Sequence, residues 1–214
     1  MRLKTKARWP TTLSMIAGAF FLAIVGYYAA TVWKARLQTP ALVRAVLASD
    51  RIELRIQELS AWQKCALVAV QDPGFYEHRG VNPSLQKAFT KTTVSQAVVK
   101  QLYFDHFRPG IRKIRQTLIA RFALDPLVSK DDQLTLFLNV VWFYKNPDGQ
   151  DIVGFADAAH SYFNKPVTHL SEDEFLSLLA MLVGPARLNP RMHPKENGER
   201  VASLRQMVIN RCGR

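Results

Sequence analysis

An all-α domain behind one N-terminal transmembrane helix is the fold class the sequence predicts. Three observations predict it. A basic segment, Arg2, Lys4, Lys6 and Arg8, precedes an apolar stretch from Trp9 to Trp33 that holds no charge. Beyond it, apolar residues recur at helical spacing between recognisable start and stop signals. Strand-type alternation is weak throughout.

The apolar stretch comes first. As a helix, residues 11–33 would reach roughly 35 Å at about 1.5 Å per residue, against a hydrocarbon core of about 30 Å. Trp9, Tyr27, Tyr28 and Trp33 sit near its ends, where aromatic anchors collect. The basic flank places the N-terminus inside and the remainder outside. A cleaved signal peptide would carry a shorter apolar run, roughly 7–15 residues. The expected division is a basic cytoplasmic segment at 1–10, the membrane helix at 11–33, a juxtamembrane helical linker at 34–55 and one domain at 56–214.

Within the domain, Ser129 is placed to cap a helix running through Tyr144, with Leu134, Phe137, Leu138, Val141 and Trp142 on its apolar face. Ser171 and Glu174 form a capping box for a helix carrying Phe175, Leu178, Leu179 and Leu182, and Gly184-Pro185 stops it. Gly110 precedes a helix with Arg112 and Lys113 in its first turn. On that helix Lys113, Gln116 and Ala120 share one face. Ile111, Ile114, Leu118 and Phe122 share another, expected in the core. Asn82 to Lys100 is a polar connection that suits either a loop beside a cleft or an ordinary link. Cys65 lies in an apolar run and reads as a buried free thiol, although a disulfide with Cys212 is permitted outside the cytoplasm.

Of 214 residues, 48% are hydrophobic, enough for a sizeable core, and the formal net charge is +12. That charge favours anionic partners. No zinc-finger or RNP-type motif accompanies it, so no nucleic acid is expected. The membrane surface or a pyrophosphate-bearing substrate remains. No cofactor is expected, and no ligand spacing supports a divalent ion or other metal. The basic cluster Lys100, Arg108, Arg112 and Lys113 suits phosphate, because a helix N-terminus attracts anions and Arg binds them bidentately. A solvated basic face is the plainer alternative. Asp72, Glu77 and His78 fall within seven residues, but Asp72 before Pro-Gly also suits a turn and His78 a structural role.

Five segments together resemble one family. "QDPGFYEHRG", Gln71 to Gly80, resembles the E-D-x-x-F-x-x-H-x-G signature of family-51 peptidoglycan glycosyltransferases, with Gln at its first position. "TTVSQAVVK", Thr92 to Lys100, looks like S-T-I-T-Q-Q-L-x-K, with Ala97 for the second Gln and no preceding Gly-Gly. "RKIRQ", Arg112 to Gln116, looks like R-K-x-x-E. "KDDQLTLFLN", ending at Asn139, is similar to K-x-x-I-L-E-x-Y-L-N. "VGFADAAHSYFNK" and "LSEDEFLSLLAMLVGPARLNPRMHP" follow in the family's order.

The resemblance implies a lysozyme-like, two-lobed fold and a substrate, lipid II, that is a disaccharide-peptide on undecaprenyl pyrophosphate. It implies a bacterial cytoplasmic-membrane protein with a periplasmic or otherwise extracytoplasmic domain, working beside other cell-wall synthesis proteins. No penicillin-binding module is visible, so a monofunctional form is expected. The family's general base matches Gln71, and a further active-site carboxylate matches Gln116. Lys100, Arg108 and Lys113 match pyrophosphate-binding positions, and Arg112 beside them is a further substrate-binding candidate. His78, Thr93, Ser95, Gln96 and Asn139 fall within the motifs and are further substrate-binding candidates.

Gln has no titratable carboxylate. General-base catalysis contributes about 10²–10⁴-fold, or roughly 3–5 kcal/mol at the transition state. The expected function is therefore binding of lipid II or nascent glycan with weak or absent polymerisation. The alternatives are an active enzyme using Asp72 or Glu77 as base, a non-catalytic scaffold, and a hydrolase with Glu77 as acid.

Overall fold

The computed structural model describes residues 9–82, 92–108 and 110–213, with side chains from Leu13 onward. Helix α1, Trp9–Leu47, is longer than the sequence suggested: it carries Pro40 inside it and absorbs most of the expected linker. Residues 48–55 are turn and extended chain instead. The apolar part of α1 is long and hydrophobic enough to cross a membrane. Its Leu13, Phe20, Phe21 and Leu22 stand exposed, whereas Ala35, Thr39 and Val43 are buried against the domain. One helix thus serves first as an apolar rod and then as a wall of the fold.

Helices α2 (Ala61–Gln71), α3 (Val94–Leu102), α4 (Ile111–Ile119) and α5 (Lys130–Val140) follow. After a hairpin of β1 (Trp142–Lys145) and β2 (Asp151–Val153) come α6 (Phe155–Phe163), α7 (Glu172–Met181) and α8 (Pro194–Cys212). Ser60, Thr93, Ser129 and Ser171 each accept the hydrogen bond that starts α2, α3, α5 and α7, satisfying donors a helix start leaves open. The capping box of Ser171 and Glu174 forms as expected. Lys165 donates to Glu174 at 2.7 Å and holds that carboxyl below its usual range.

The buried hydrophobic residues form one continuous core cluster. Helix α7 is buried from Phe175 to Met181 and packs on α2, α6 and α8, with Phe143, Phe155 and Phe175 in successive ring contact. Helix α4 packs with α1 and with the π-turn Ala120–Leu124, and α3 packs with α5, α4 and that turn. Gly80 rests on that turn at φ +76°. A Cβ there would lie 2.5 Å from the Ala120 carbonyl oxygen, so the position admits glycine alone.

Three further expectations are corrected. The helix from Ser129 ends at Val140, and Trp142 begins a strand. Both readings give apolar runs here; Phe143 is buried between an exposed Trp142 and a half-buried Tyr144, which follows the strand period. Ile111, Ile114 and Phe122 are exposed rather than in the core, while Gln116 and Ile119 face inward. The apolar face of α4 and the π-turn opens toward α1, where Leu118 and Phe122 meet Tyr28 and Trp33 around an apolar groove. Cys65 is not a free thiol; it is joined to Cys212, tying α2 to the end of α8.

The hairpin carries one strained residue. Pairing slips between Trp142 and Tyr144, and Tyr144 adopts φ +132°. That region favours glycine, and occupying it costs roughly 1–3 kcal/mol.

Candidate functional site

Gln71 is the last residue of α2, and Asp72 closes the helix by donating its N–H to Val68. The chain then turns through Pro73 and Gly74, returns His78 to Asp72, and later starts α3 beside the same carboxylate. Asp72 Oδ1 lies 2.9 Å from His78 Nε2, and Oδ2 accepts the Val94 N–H at 2.9 Å. Asp72 is fully buried. Its carboxylate therefore joins the end of α2, the motif turn and the first turn of α3, where a negative group also suits the helix dipole. Removing it by Asp72→Ala would strand a buried N–H and the His78 ring, and is expected to lower stability by roughly 2–4 kcal/mol. Urea unfolding checks this; a change under about 0.5 kcal/mol would contradict the structural role.

Several other motif residues also bond within the protein. Thr93 caps α3 and donates to the Gly80 carbonyl at 2.8 Å. Ser95 donates to Gln133 at 2.6 Å, and Gln96 donates to Thr117 at 3.0 Å while accepting the Thr93 N–H. Asn139 accepts the Glu53 and Leu54 N–H groups and donates to the Leu54 and Thr135 carbonyls. All four are buried.

The two glutamines are used alike. Gln71 Nε2 donates to the Thr92 carbonyl at 3.2 Å, and Gln116 Nε2 donates to the Gln96 carbonyl at 2.7 Å. Each thus holds main chain in or just before α3 through an N–H that a carboxylate lacks. Gln116 is fully buried, and its Oε1 has no hydrogen-bond partner among the described residues.

Gln71 and Lys100 line one pocket of about 250 Å³, with Gln101, Phe137 and Trp142 among its other walls. Lys100 is exposed, its Nζ 5.7 Å from the Phe107 ring. Arg108, Arg112 and Lys113 are also exposed, but they do not line this pocket. Arg112 donates to the His106 carbonyl. The first turn of α4 holds Arg112 and Lys113 and no acid, an arrangement that an anion at this helix start would relieve. Glu77 is exposed. Residues 83–91 of the expected polar connection lie outside the described residues.

Sequence reading missed Trp142 and Gln101 as pocket walls. The helical reading puts Trp142 on the apolar face of α5; as the first residue of β1 it lines the pocket instead. Among the described residues, no group of three or more His, Cys, Asp or Glu is placed to hold a metal.

This is a helical domain behind an apolar N-terminal helix, with a small pocket lined by Gln71 and Lys100 and, outside that pocket, a basic start to α4. A family model described as Transglycosylase matches residues 40–211. Penicillin-binding protein 1F of Bacillus subtilis is 30% identical over 178 residues, covering 78% of this chain and 24% of that protein. Penicillin-binding protein 1B of Haemophilus influenzae is 31% identical over 163 residues, 71% of this chain and 21% of that one. A protein given a transglycosylase name in Cupriavidus necator is 26% identical over 155 residues, 67% of this chain and 64% of that one. The chain belongs to the transglycosylase family. It spans about a quarter of the penicillin-binding relatives it matches.

Proposed function

We propose that this is a membrane-anchored, peptidoglycan glycosyltransferase-like domain that binds lipid II or nascent glycan and polymerises it weakly or not at all. The observation that carries the reading is the paired use of Gln71 and Gln116. Both stand where the family resemblance implies carboxylates, and both have amides committed to main-chain carbonyls. Neither can accept a proton as a general base near neutral pH.

Asp72 is a poor replacement. It is buried, with both oxygens engaged, so it cannot reach an acceptor hydroxyl without dismantling the start of α3. The cations Lys100, Arg108, Arg112 and Lys113 remain exposed for a pyrophosphate. The Cys65–Cys212 disulfide supports placing the domain on the oxidising, extracytoplasmic side of the membrane. The basic flank of the apolar helix supports the same orientation.

The test is lipid II added to the purified protein in detergent. Binding should raise the melting temperature, Lys100→Ala should reduce that rise, and glycan chains should stay at least about 100-fold below those of an active relative. Polymerisation at the relative's rate would overturn the reading. No rise in melting temperature would favour a scaffold without substrate affinity.

A further inference from the structure

A second pocket, about 690 Å³, opens between the hairpin, α6 and the chain leading to α8. Its volume falls within the roughly 300–1,000 Å³ range of sites that enclose a small ligand. None of its lining residues is Asp or Glu, whereas Lys145, His160 and Arg191 all contribute. Lys145 is already engaged with the Gly149 carbonyl at 2.9 Å and with Asp151 at 3.4 Å. Arg191 is different: its guanidinium makes no ion pair among the described residues. The Tyr162 hydroxyl accepts a hydrogen bond from Asn189 at 3.3 Å; burial holds this phenol above its ordinary range, with the Arg191 charge opposing the rise, and both phenols and the guanidinium line the same pocket. The pocket is therefore rich in donors and positive, with apolar walls from Ile152, Pro147 and Met192.

Tyr144 is the second observation. The slip that buries Phe143 needs a residue at φ +132°, which glycine would supply at lower cost. The chain keeps a tyrosine there, and its ring forms a wall of the pocket. Strain held at a cleft is the usual mark of a side chain retained for contact. On the same strand, Trp142 lines the Gln71–Lys100 pocket, and the Trp142 and Tyr144 rings are 5.8 Å apart. One extended ligand can thus touch both pockets.

We propose that this second pocket binds a carboxylate of the peptide branch carried by the glycan substrate, with Arg191 as the charge partner and Tyr144 and Tyr162 flanking it. The proposal rests on the substrate reading above and deepens it. A carboxylate supplies the acceptors and negative charge that the lining lacks, and the apolar walls suit the peptide that bears it.

The experiment compares lipid II with a lipid-linked disaccharide that lacks the peptide, measuring Kd in detergent on the protein and on its Arg191→Ala, Tyr144→Gly and Lys100→Ala variants. In the parent, loss of the peptide is expected to weaken binding about tenfold, the weight of one charge-assisted hydrogen bond. Arg191→Ala should erase that difference. Tyr144→Gly should reduce it while raising the melting temperature, a pairing that a merely structural tyrosine would not give. Lys100→Ala should weaken both ligands equally. Equal binding of the two ligands by the parent would overturn this proposal and leave the substrate reading standing. Binding of neither would overturn both.

Discussion

Replacing Gln116 by glutamate is expected to destabilise the protein by roughly 3 kcal/mol at pH 7 and by little at pH 4. Gln116 is fully buried and donates to the Gln96 carbonyl at 2.7 Å. An ionised carboxylate there would lose that bond and face an oxygen, and among the described residues no donor reaches its other oxygen. Burial and the facing carbonyl both favour the protonated acid, which can still donate to Gln96. The substituted carboxyl's folded pKa is thus raised above the unfolded value of about 4.3. The sign follows: the folded state holds its proton more tightly, so stability falls as pH rises through the unfolded value toward the folded one. Below about pH 4 both states are protonated and the loss largely disappears. Urea unfolding of parent and Gln116→Glu at pH 4 and pH 7 reads this directly. An equal difference at both pH values would refute it.

This result bears on what a restored enzyme would need. Gln71→Glu also removes a donor to the chain just before α3, at the Thr92 carbonyl. The double variant would supply carboxylates at both positions while loosening the hold on α3, which bears Lys100 in its last turn. If it polymerises lipid II, the remaining cleft tolerates that loosening and only the carboxylates were missing. If it stays silent but still binds, the surroundings have been rebuilt around amides.

The fold class was legible because its signals are local. A charge-free apolar run, the Ser171 cap three residues before Glu174, and the Gly184-Pro185 stop all act within one or two turns. The hairpin was not legible, because "VVWFY" continues the apolar run of α5 and only tertiary burial of Phe143 against Phe155 decides where helix gives way to strand. The face of α4 was misassigned for a related reason. Ile111, Ile114 and Phe122 look like core residues by spacing alone, yet Ile111 and Ile114 are exposed, and Leu118 and Phe122 border an apolar groove against α1. The motif residues were found, but their work was not. Gln96, Thr93 and Asn139 hold main chain 3, 13 and 85 or 86 residues away, and spacing along the sequence does not reveal such partners. The Gln71–Lys100 pairing in one pocket was legible only through the resemblance. The Tyr144–Arg191 pocket joins residues 47 positions apart and had no sequence signal.

Breaking the Cys65–Cys212 bridge is the second large effect expected. The bond spans a sequence separation of 147 residues. Chain entropy alone would credit such a loop with about 5 kcal/mol, and measured native bridges commonly give roughly 2–5. Cys65 is in the middle of α2 and Cys212 is the last residue of α8, so the bridge secures a helix end that would otherwise fray. Arg211 beside it donates to the Ala69 carbonyl at 3.2 Å, a contact that depends on the same docking. Cys212→Ser, or a reductant that opens the bond, should therefore lower the melting temperature by about 5–15 °C, taking roughly 2–4 °C per kcal/mol for a domain of this size. The loss should be felt at the site as well, because α2 runs from Cys65 directly to Gln71 and Asp72. Melting curves of the parent with and without reductant, set beside Cys212→Ser, separate the possibilities. The parent should fall to the variant's value on reduction, and the variant should not respond. If the reduced parent, with both thiols shown to be free by labelling, melts where the oxidised protein does, the docking of α8 on α2 holds without the bond and the bridge is not a determinant of stability.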